Sequence, residues 1–357
     1  MTHQFHRIPI FYSAIHNLHR PQFEYDRGLQ IPYQEQARRI ESAREALKQL
    51  VFTEEIEPEL VLPLEQIARV HSIALIEHLR ERSAFARQQE QIIGQEDMYL
   101  YPWIYPINQQ MREGLLKSPD SAGCYAFDIY TPIGKNTWQA VYASANLAFC
   151  AAKTIIQKES RIAYALCRPP GHHAGKEMIG GYCYLNNAAV AADQLKQGLG
   201  RGAILDIDYH HGNGTQEIFW DDPDVLFVSI HADPADEYPF FSGFAEESGG
   251  EQAFGTNLNK LLPKGCNDSY YLLALDQALD TIKRYEPNWL VLSAGYDTCQ
   301  ADPSTFFNLT DAVYTEIGKR IGGLNRPTVI VHEGGYGIEH NGLLSARLLS
   351  GIIDSST

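Results

Sequence analysis

At 357 residues the chain is long enough to bury a sizeable core without disulfide or metal staples. Hydrophobic residues make up 44% and charged residues 20%, which excludes a mostly disordered, fibrous or disulfide-dense protein. Asp and Glu (44) outnumber Lys and Arg (29), and the resulting charge of -15 repels phosphate backbones and favours small cations such as amines, so nucleic acid is not an expected partner.

In chain order, Ile8–Tyr12 reads as a strand, and Gln34–Leu50 and Leu64–Arg82 read as helices. Residues 84–132 break the pattern. They hold YLYPWIYP and FDIYTP, aromatic and polar without a clean period, and are expected to form an irregular insertion that lines a site or a dimer surface. Trp138–Gln157 is rich in small residues at helical spacing, which suits a tightly packed helix. Strand-like runs follow at Ile162–Cys167, Gly202–Ile207, Val225–Ile230, Trp289–Ala294 and Thr328–Val331. Helical patterns at Leu185–Lys196, Asp268–Tyr285 and Thr310–Leu324 separate several of them. Continuous apolar strands alternating with helices predict an α/β fold with a parallel sheet covered on both faces. No repeat or long linker interrupts the chain, so one domain over residues 1–357 is expected. The six cysteines are scattered, without a CxxC pair, and read as reduced thiols. The opening stretch lacks the features of a signal peptide, and no apolar run reaches membrane-spanning length, so a cytoplasmic setting without membrane contact is expected.

The chemically loaded motifs each follow a predicted strand: RPPGHHAG, DIDYHHGNGT, AGYDTCQADP and HEGGYG. In open α/β sheets ligands bind beyond the carboxyl ends of the strands, so these segments are expected on one rim. Asp206, Asp208 and His210 alternate, which turns all three side chains the same way on extended backbone. Such a set is costly to bury without a cation between its members. A divalent metal held by Asp208 and His210, with Asp297 as third ligand, resolves that cost and leaves a coordination position open for water, as in catalytic zinc sites. His172 and His173 lie in a Gly/Pro-rich loop, with Asp206 and Asn213 available to fix their rings. Tyr336 follows two glycines that permit a tight turn, which suits a phenol aimed at a developing oxyanion. Taken alone, an adjacent histidine pair or a turn tyrosine would read as ordinary surface; the weight comes from the set.

RPPGHHAG, GGYCYLNNAAVAA, ILDIDYHHGNGTQEIF, SAGYDTCQADP and EGGYG, in this order, resemble the zinc-dependent deacetylase family of the arginase/deacetylase fold. HADPADEYPFFSGFAEESGGEQAFGTNLN and CRPPGHHAGKEMIGGYCY are most similar to its acetylpolyamine amidohydrolase branch. The resemblance implies a three-layer α/β/α domain with a mostly parallel eight-stranded sheet. It implies Zn²⁺ on Asp208, His210 and Asp297, with His173 as general base and acid. His172 paired with Asp206 would act electrostatically, and Tyr336 would donate to the oxyanion. The Gly181 carbonyl would accept from the substrate amide, and Tyr182 and Tyr238 would wall an aliphatic chain. A structural K⁺ would sit among Asp206, Asp208, His210, Ser229 and Ile230, and Phe219, Asp222 and Val225 fall where many relatives hold a second K⁺. Asn213 departs from relatives that carry Asp there, which lowers the proton affinity of its histidine. The implied reaction is hydrolysis of acetylated polyamines or related amines, with Glu24 and Asp128 as acidic groups for the cationic tail and with a homodimer as the assembly. A protein acetyl-lysine deacetylase is the enzymatic alternative. A non-catalytic, metal-dependent binder of acetylated amines is the alternative of another class.

Overall fold

The computed structural model describes residues 7–104, 108–118 and 121–355; residues 1–6 of the opening stretch and 105–107 and 119–120 of the expected insertion lie outside the described residues. Eight short strands build the central sheet: β1 (Ile8–Phe11), β2 (Thr53–Ile56), β3 (Ile162–Ala165), β4 (Gly202–Asp206), β5 (Val225–Ala232), β6 (Asn257–Leu262), β7 (Leu290–Ala294) and β8 (Thr328–His332). Their order is β6-β5-β4-β7-β8-β3-β1-β2. Every pairing within that sheet is parallel, so the expectation of a mostly parallel sheet is met in full. The inner strands are buried on both faces, as runs such as GAILD, LVLSA and TVIVH require.

Alternate residues of each strand feed two cores. Leu205, Leu292, Ile330 and Tyr164 point into one, and Ile204, Val291, Val329 and Ala163 into the other. The first core is closed by α1 (Arg38–Lys48), α5 (Asp268–Tyr285), α6 (Val313–Gly322) and α7 (Ile338–Asp354). The second is closed by α2 (Ile73–Ile93), α3 (Thr137–Ile156) and α4 (Asn187–Leu199). The small residues of α3, among them Ala145, Ala148, Ala151 and Ala152, let it lie close against α4.

Three expectations change. The helix expected over Leu64–Arg82 is two pieces: a turn at Leu64–Ile67, then α2, which starts afresh where the Ser72 hydroxyl accepts from the Leu75 amide. Helix α2 also runs ten residues into the stretch expected to be irregular and stops at Gly94, whose φ of 75° closes it with a left-handed cap. The rest of that stretch carries short elements, including Gln109–Leu115 and a two-residue strand Tyr99–Leu100 paired with Ile133–Gly134. Finally, β2 and β6 form the sheet edges and were not expected, because TEEI and NLNKLL carry the polar and charged residues that edges need and lack an apolar run. A hairpin of Phe23–Asp26 and Leu29–Pro32 stands outside the main sheet.

A buried carboxylate ties the start of α1 to two loops at the carboxyl end of the sheet. Glu35 Oε1 accepts from Arg39 Nη1 at 2.7 Å and Arg168 Nε at 2.9 Å, and all three side chains are shielded from solvent. Arg39 also donates to the carbonyls of Glu333 and Gly335, and Arg168 to those of Glu35 and His16. Replacing Glu35 by Ala strands two guanidinium charges in the interior. The unfolding free energy should fall by about 3–5 kcal/mol, read as a lower urea midpoint at unchanged slope; an unmoved midpoint would show that the brace is dispensable.

Candidate active site

The four loaded motifs leave β4, β7, β8 and β3, which are neighbours in the sheet. The chain departs outward from β4 to β5 and β6 and returns to β7 on the other side of β4, a switch of direction that opens a crevice at the strand ends. There, ligand atoms of Asp208, His210 and Asp297 lie within 4.8 Å of one another. His210 Nδ1 is 3.3 Å from Asp208 Oδ1 and 3.2 Å from Asp297 Oδ2. Backbone amides aim the carboxylates: Gly334 donates to Asp208 Oδ2 at 2.8 Å and Tyr209 to Asp297 Oδ1 at 2.9 Å. A Cβ at Gly334 would fall 2.5 Å from both carboxylates, and one at Gly295 would fall 2.2 Å from Asp208, so glycine is required at these two approaches.

Asp206, Asp208 and Asp297 are fully buried, so their charge needs neutralising. Burial opposes charge on His210, but Asp208 and Asp297 outweigh it and carry its pKa up to about 10. Burial and the neighbouring Asp208 push Asp297 up to about 7. A divalent ion performs the same neutralisation without protons, and one imidazole with two carboxylates is a donor set such ions accept, so these residues fit a metal.

The adjacent histidines have different partners. His172 Nδ1 is 3.0 Å from Asp206 Oδ2, whereas His173 Nδ1 is 2.7 Å from the amide oxygen of Asn213. Burial again disfavours the cation on His172, but Asp208 and Asp206 raise its pKa to about 10. His173 has no carboxylate at its Nδ1; burial, with His172 and His210 nearby, holds its pKa well below the usual histidine range. Two residues that the motif reading passed over position the loops of the site, Glu333 that of the histidines and Asp302 that of Tyr336. Glu333 Oε2 accepts the amides of Gly171 and His172 at 2.7 and 3.2 Å. Asp302 accepts the amides of Tyr336 and Gly337 at 2.5 and 2.7 Å. Both lie inside motifs already singled out, and Glu35 and Arg39 stand at i, i+4 on a predicted helix, the one legible sign of their pairing.

Above this floor opens a cavity of about 800 Å³ lined by His173, His210, Gly181, Tyr182, Tyr238 and Tyr336, with Glu24 and Asp128 on its walls and Phe240 and Phe241 at its mouth. Gly181 and Tyr182 are the centre of a tight turn in which Gly180 and Cys183 exchange backbone hydrogen bonds. Both have positive φ, 52° and 66°, unusual for a tyrosine and typical of a held site residue. Glu24 accepts from the Tyr182 hydroxyl at 3.0 Å and the Gln34 amide at 3.2 Å, and burial pushes its pKa up to about 7. Asp128 accepts from Gly181 N, Tyr238 Oη and Tyr130 N. Ser229 pairs in register with Asp206, and it and Ile230 are buried beneath the site. Asp222 is ion-paired with Lys196, and Phe219 and Asp222 carbonyls accept backbone amides within that turn.

The sequence matches the histone deacetylase domain over residues 33–352. It is 40% identical over 343 residues to acetylpolyamine amidohydrolase 1 of Pseudomonas aeruginosa, covering 95% of this chain and 97% of that protein. It is 35% identical over 347 residues to the acetylpolyamine amidohydrolase of Mycoplana ramosa, covering 96% and 99%. The crystal structure of acetylpolyamine aminohydrolase from Burkholderia pseudomallei superposes with a TM-score of 0.89 at 35% identity, covering 98% of this chain and 99% of that one. The strand order, the Asp208–His210–Asp297 cluster and these similarities lead to one conclusion: the chain belongs to the histone deacetylase family of deacetylase hydrolases, typically metal-dependent.

Proposed function

We propose that the chain is a single catalytic domain that hydrolyses N-acetyl amides of polyamines or related small amines to acetate and free amine. The observation that carries this reading is the meeting, at the floor of one aromatic-walled cavity, of the Asp208–His210–Asp297 cluster with the His173 imidazole, anchored on Asn213, and the Tyr336 hydroxyl. Asp208, His210 and Asp297 would hold the metal, zinc by the family resemblance, which when bound lowers the pKa of water and polarises the acetyl carbonyl. His173 uses Nδ1 on Asn213, which leaves Nε2 to take the proton of the attacking water and pass it to the leaving nitrogen. Tyr336 donates to the oxyanion as its charge grows. His172, charged against Asp206, adds a fixed positive field behind His173. The Gly181 carbonyl accepts the substrate N–H, and Tyr182 and Tyr238 flank its methylenes.

The acidic groups on the cavity wall favour a cationic tail: Glu24, Asp26 and Glu237 line it against a single Lys or Arg side chain, Arg27, among the described lining residues. The names of the relatives point to the same substrate class. K⁺ bound by Asp206, Asp208, His210, Ser229 and Ile230 belongs to the same reading, as does a homodimer formed through the 84–132 stretch. Six free, buried cysteines support a cytoplasmic location. No helix among the described residues is long and apolar enough to cross a membrane.

Acetate release should be followed on acetylputrescine, acetylcadaverine, acetylspermidine isomers and an acetyl-lysine peptide, before and after chelation and zinc restoration. The polyamines should give the highest kcat/KM, with activity lost to the chelator and regained with zinc; a preference for the peptide would favour the protein-deacetylase alternative, and no release from the zinc-loaded protein would leave only a binder. Tyr336→Phe and His173→Ala should each lower kcat by ~10²–10³-fold or more while the metal content stays unchanged; full turnover in either purified variant refutes its role. Glu24→Gln should raise KM for charged substrates roughly tenfold and leave neutral acetamides nearly untouched, whereas equal losses would exclude a counter-charge role.

A further inference from the structure

Asp128 stands where the two walls of the cavity meet. One of its oxygens, Oδ2, accepts both the Tyr238 hydroxyl at 2.6 Å and the Gly181 amide at 2.7 Å. Its other oxygen accepts the Tyr130 amide at 2.9 Å. Tyr238 is one wall; Gly181 begins the strained turn that carries Tyr182, the other wall. The preceding residue repeats the pattern through packing. Phe127 stacks on Tyr238 at 6.3 Å, and a Cβ on Gly180 would fall 2.3 Å from the Phe127 ring. The segment is itself pinned beside the turn, since the Phe127 amide donates to the Ile179 carbonyl and Ala126 bridges Ile179. The space at this joint is fully used: a Cβ on Gly181 would lie 2.4 Å from the His173 ring and 2.8 Å from the Tyr238 hydroxyl.

We infer that Asp128 is a positioning residue that sets the width of the slot between Tyr182 and Tyr238, and so selects unbranched alkyl amines, rather than a counter-charge for the substrate's ammonium. A carboxylate already accepting three protein donors has little left to offer a substrate cation. Asparagine cannot replace it. Its single amide oxygen serves one of the two acceptor positions, and its NH2 group would face a donor at the other. Whichever way the amide turns, its NH2 group opposes a protein N–H, that of Tyr130 if the oxygen keeps the shared position, so the side chain is pushed off the joint, the positive-φ turn loses a restraint and the walls are free to part. The inference rests on the reading of this cavity as the amide-hydrolysing site.

The test compares kcat/KM for three acetamides, N-acetyl-n-butylamine, N-acetylcyclohexylamine and acetylputrescine, in the zinc-loaded wild type, Asp128→Asn, Tyr238→Phe and the double variant. The wild type should strongly prefer the linear neutral amide over the cyclic one. Asp128→Asn should shrink that preference several-fold and weaken the linear neutral and charged substrates by similar factors. Tyr238→Phe removes one of the two donors on the shared oxygen and should shift the ratio the same way. The double variant should add little to Asp128→Asn, because coupled groups are not additive. A loss confined to acetylputrescine with the linear-to-cyclic ratio unchanged makes Asp128 a counter-charge and overturns the inference alone. Should Asp128→Asn fail to fold, an unchanged ratio in Tyr238→Phe overturns it equally. A wild type that hydrolyses none of the three overturns the functional reading and this inference with it.

Discussion

Three solvent-free aspartates, Asp206, Asp208 and Asp297, at the ends of two adjacent strands impose the constraint from which the site's other features follow. So much negative charge in one place is tolerable only with positive charge close by and with amides aimed at its oxygens. The structure supplies both. His172 and His210 sit against the carboxylates, and the amides of Asp208, Tyr209, His210 and Gly334 each donate to one of them. The glycines at 295 and 334 are a direct consequence, because backbone this close to the carboxylates leaves no room for a side chain.

The same electrostatics divides labour between neighbouring histidines of one loop. Asp208 and Asp206 raise the pKa of His172 against the cost of burial, whereas burial, with no carboxylate at Nδ1, holds that of His173 low. A base is useful only when unprotonated at working pH, and a field-supplying cation only when charged, so under the proposed function the partner of each second nitrogen suits the two histidines to different purposes. Behind them, Glu333 holds the loop's amides, while Arg39 and Arg168 converge on Glu35 and join the histidine loop to the tyrosine loop. Both loops are therefore tied to the start of α1.

Much of this was legible in the order of residues. The buried strands β3, β4, β7 and β8 announce themselves as unbroken apolar runs, and Asp268–Tyr285 is found with the bounds its periodicity predicts. What escaped has a common cause. The edge strands carry Glu, Asn and Lys because one side of each faces solvent and charged side chains there discourage pairing with a further strand, so their composition mimics a loop. The break before α2 depends on one hydroxyl, Ser72, that looks like any other serine. At the site, the motifs named the groups that converge, but not the partners that hold them: Glu333 and Asp302 act on backbone amides, and an amide leaves no trace in residue identity. Asp128 was visible as an acid; its three donors arrive from residues 2, 53 and 110 positions away, which no local pattern encodes.

The hairpin of Phe23–Asp26 and Leu29–Pro32 stands apart from the central sheet and precedes residue 33, where the match to the family domain begins. It nevertheless contributes Glu24, Asp26, Arg27 and Ile31 to the cavity. The Asp208–His210–Asp297 cluster and part of the cavity wall above it are thus carried by separate pieces of chain. Under the proposed function, a change in that ribbon would alter which amine enters without touching the Asp208–His210–Asp297 cluster.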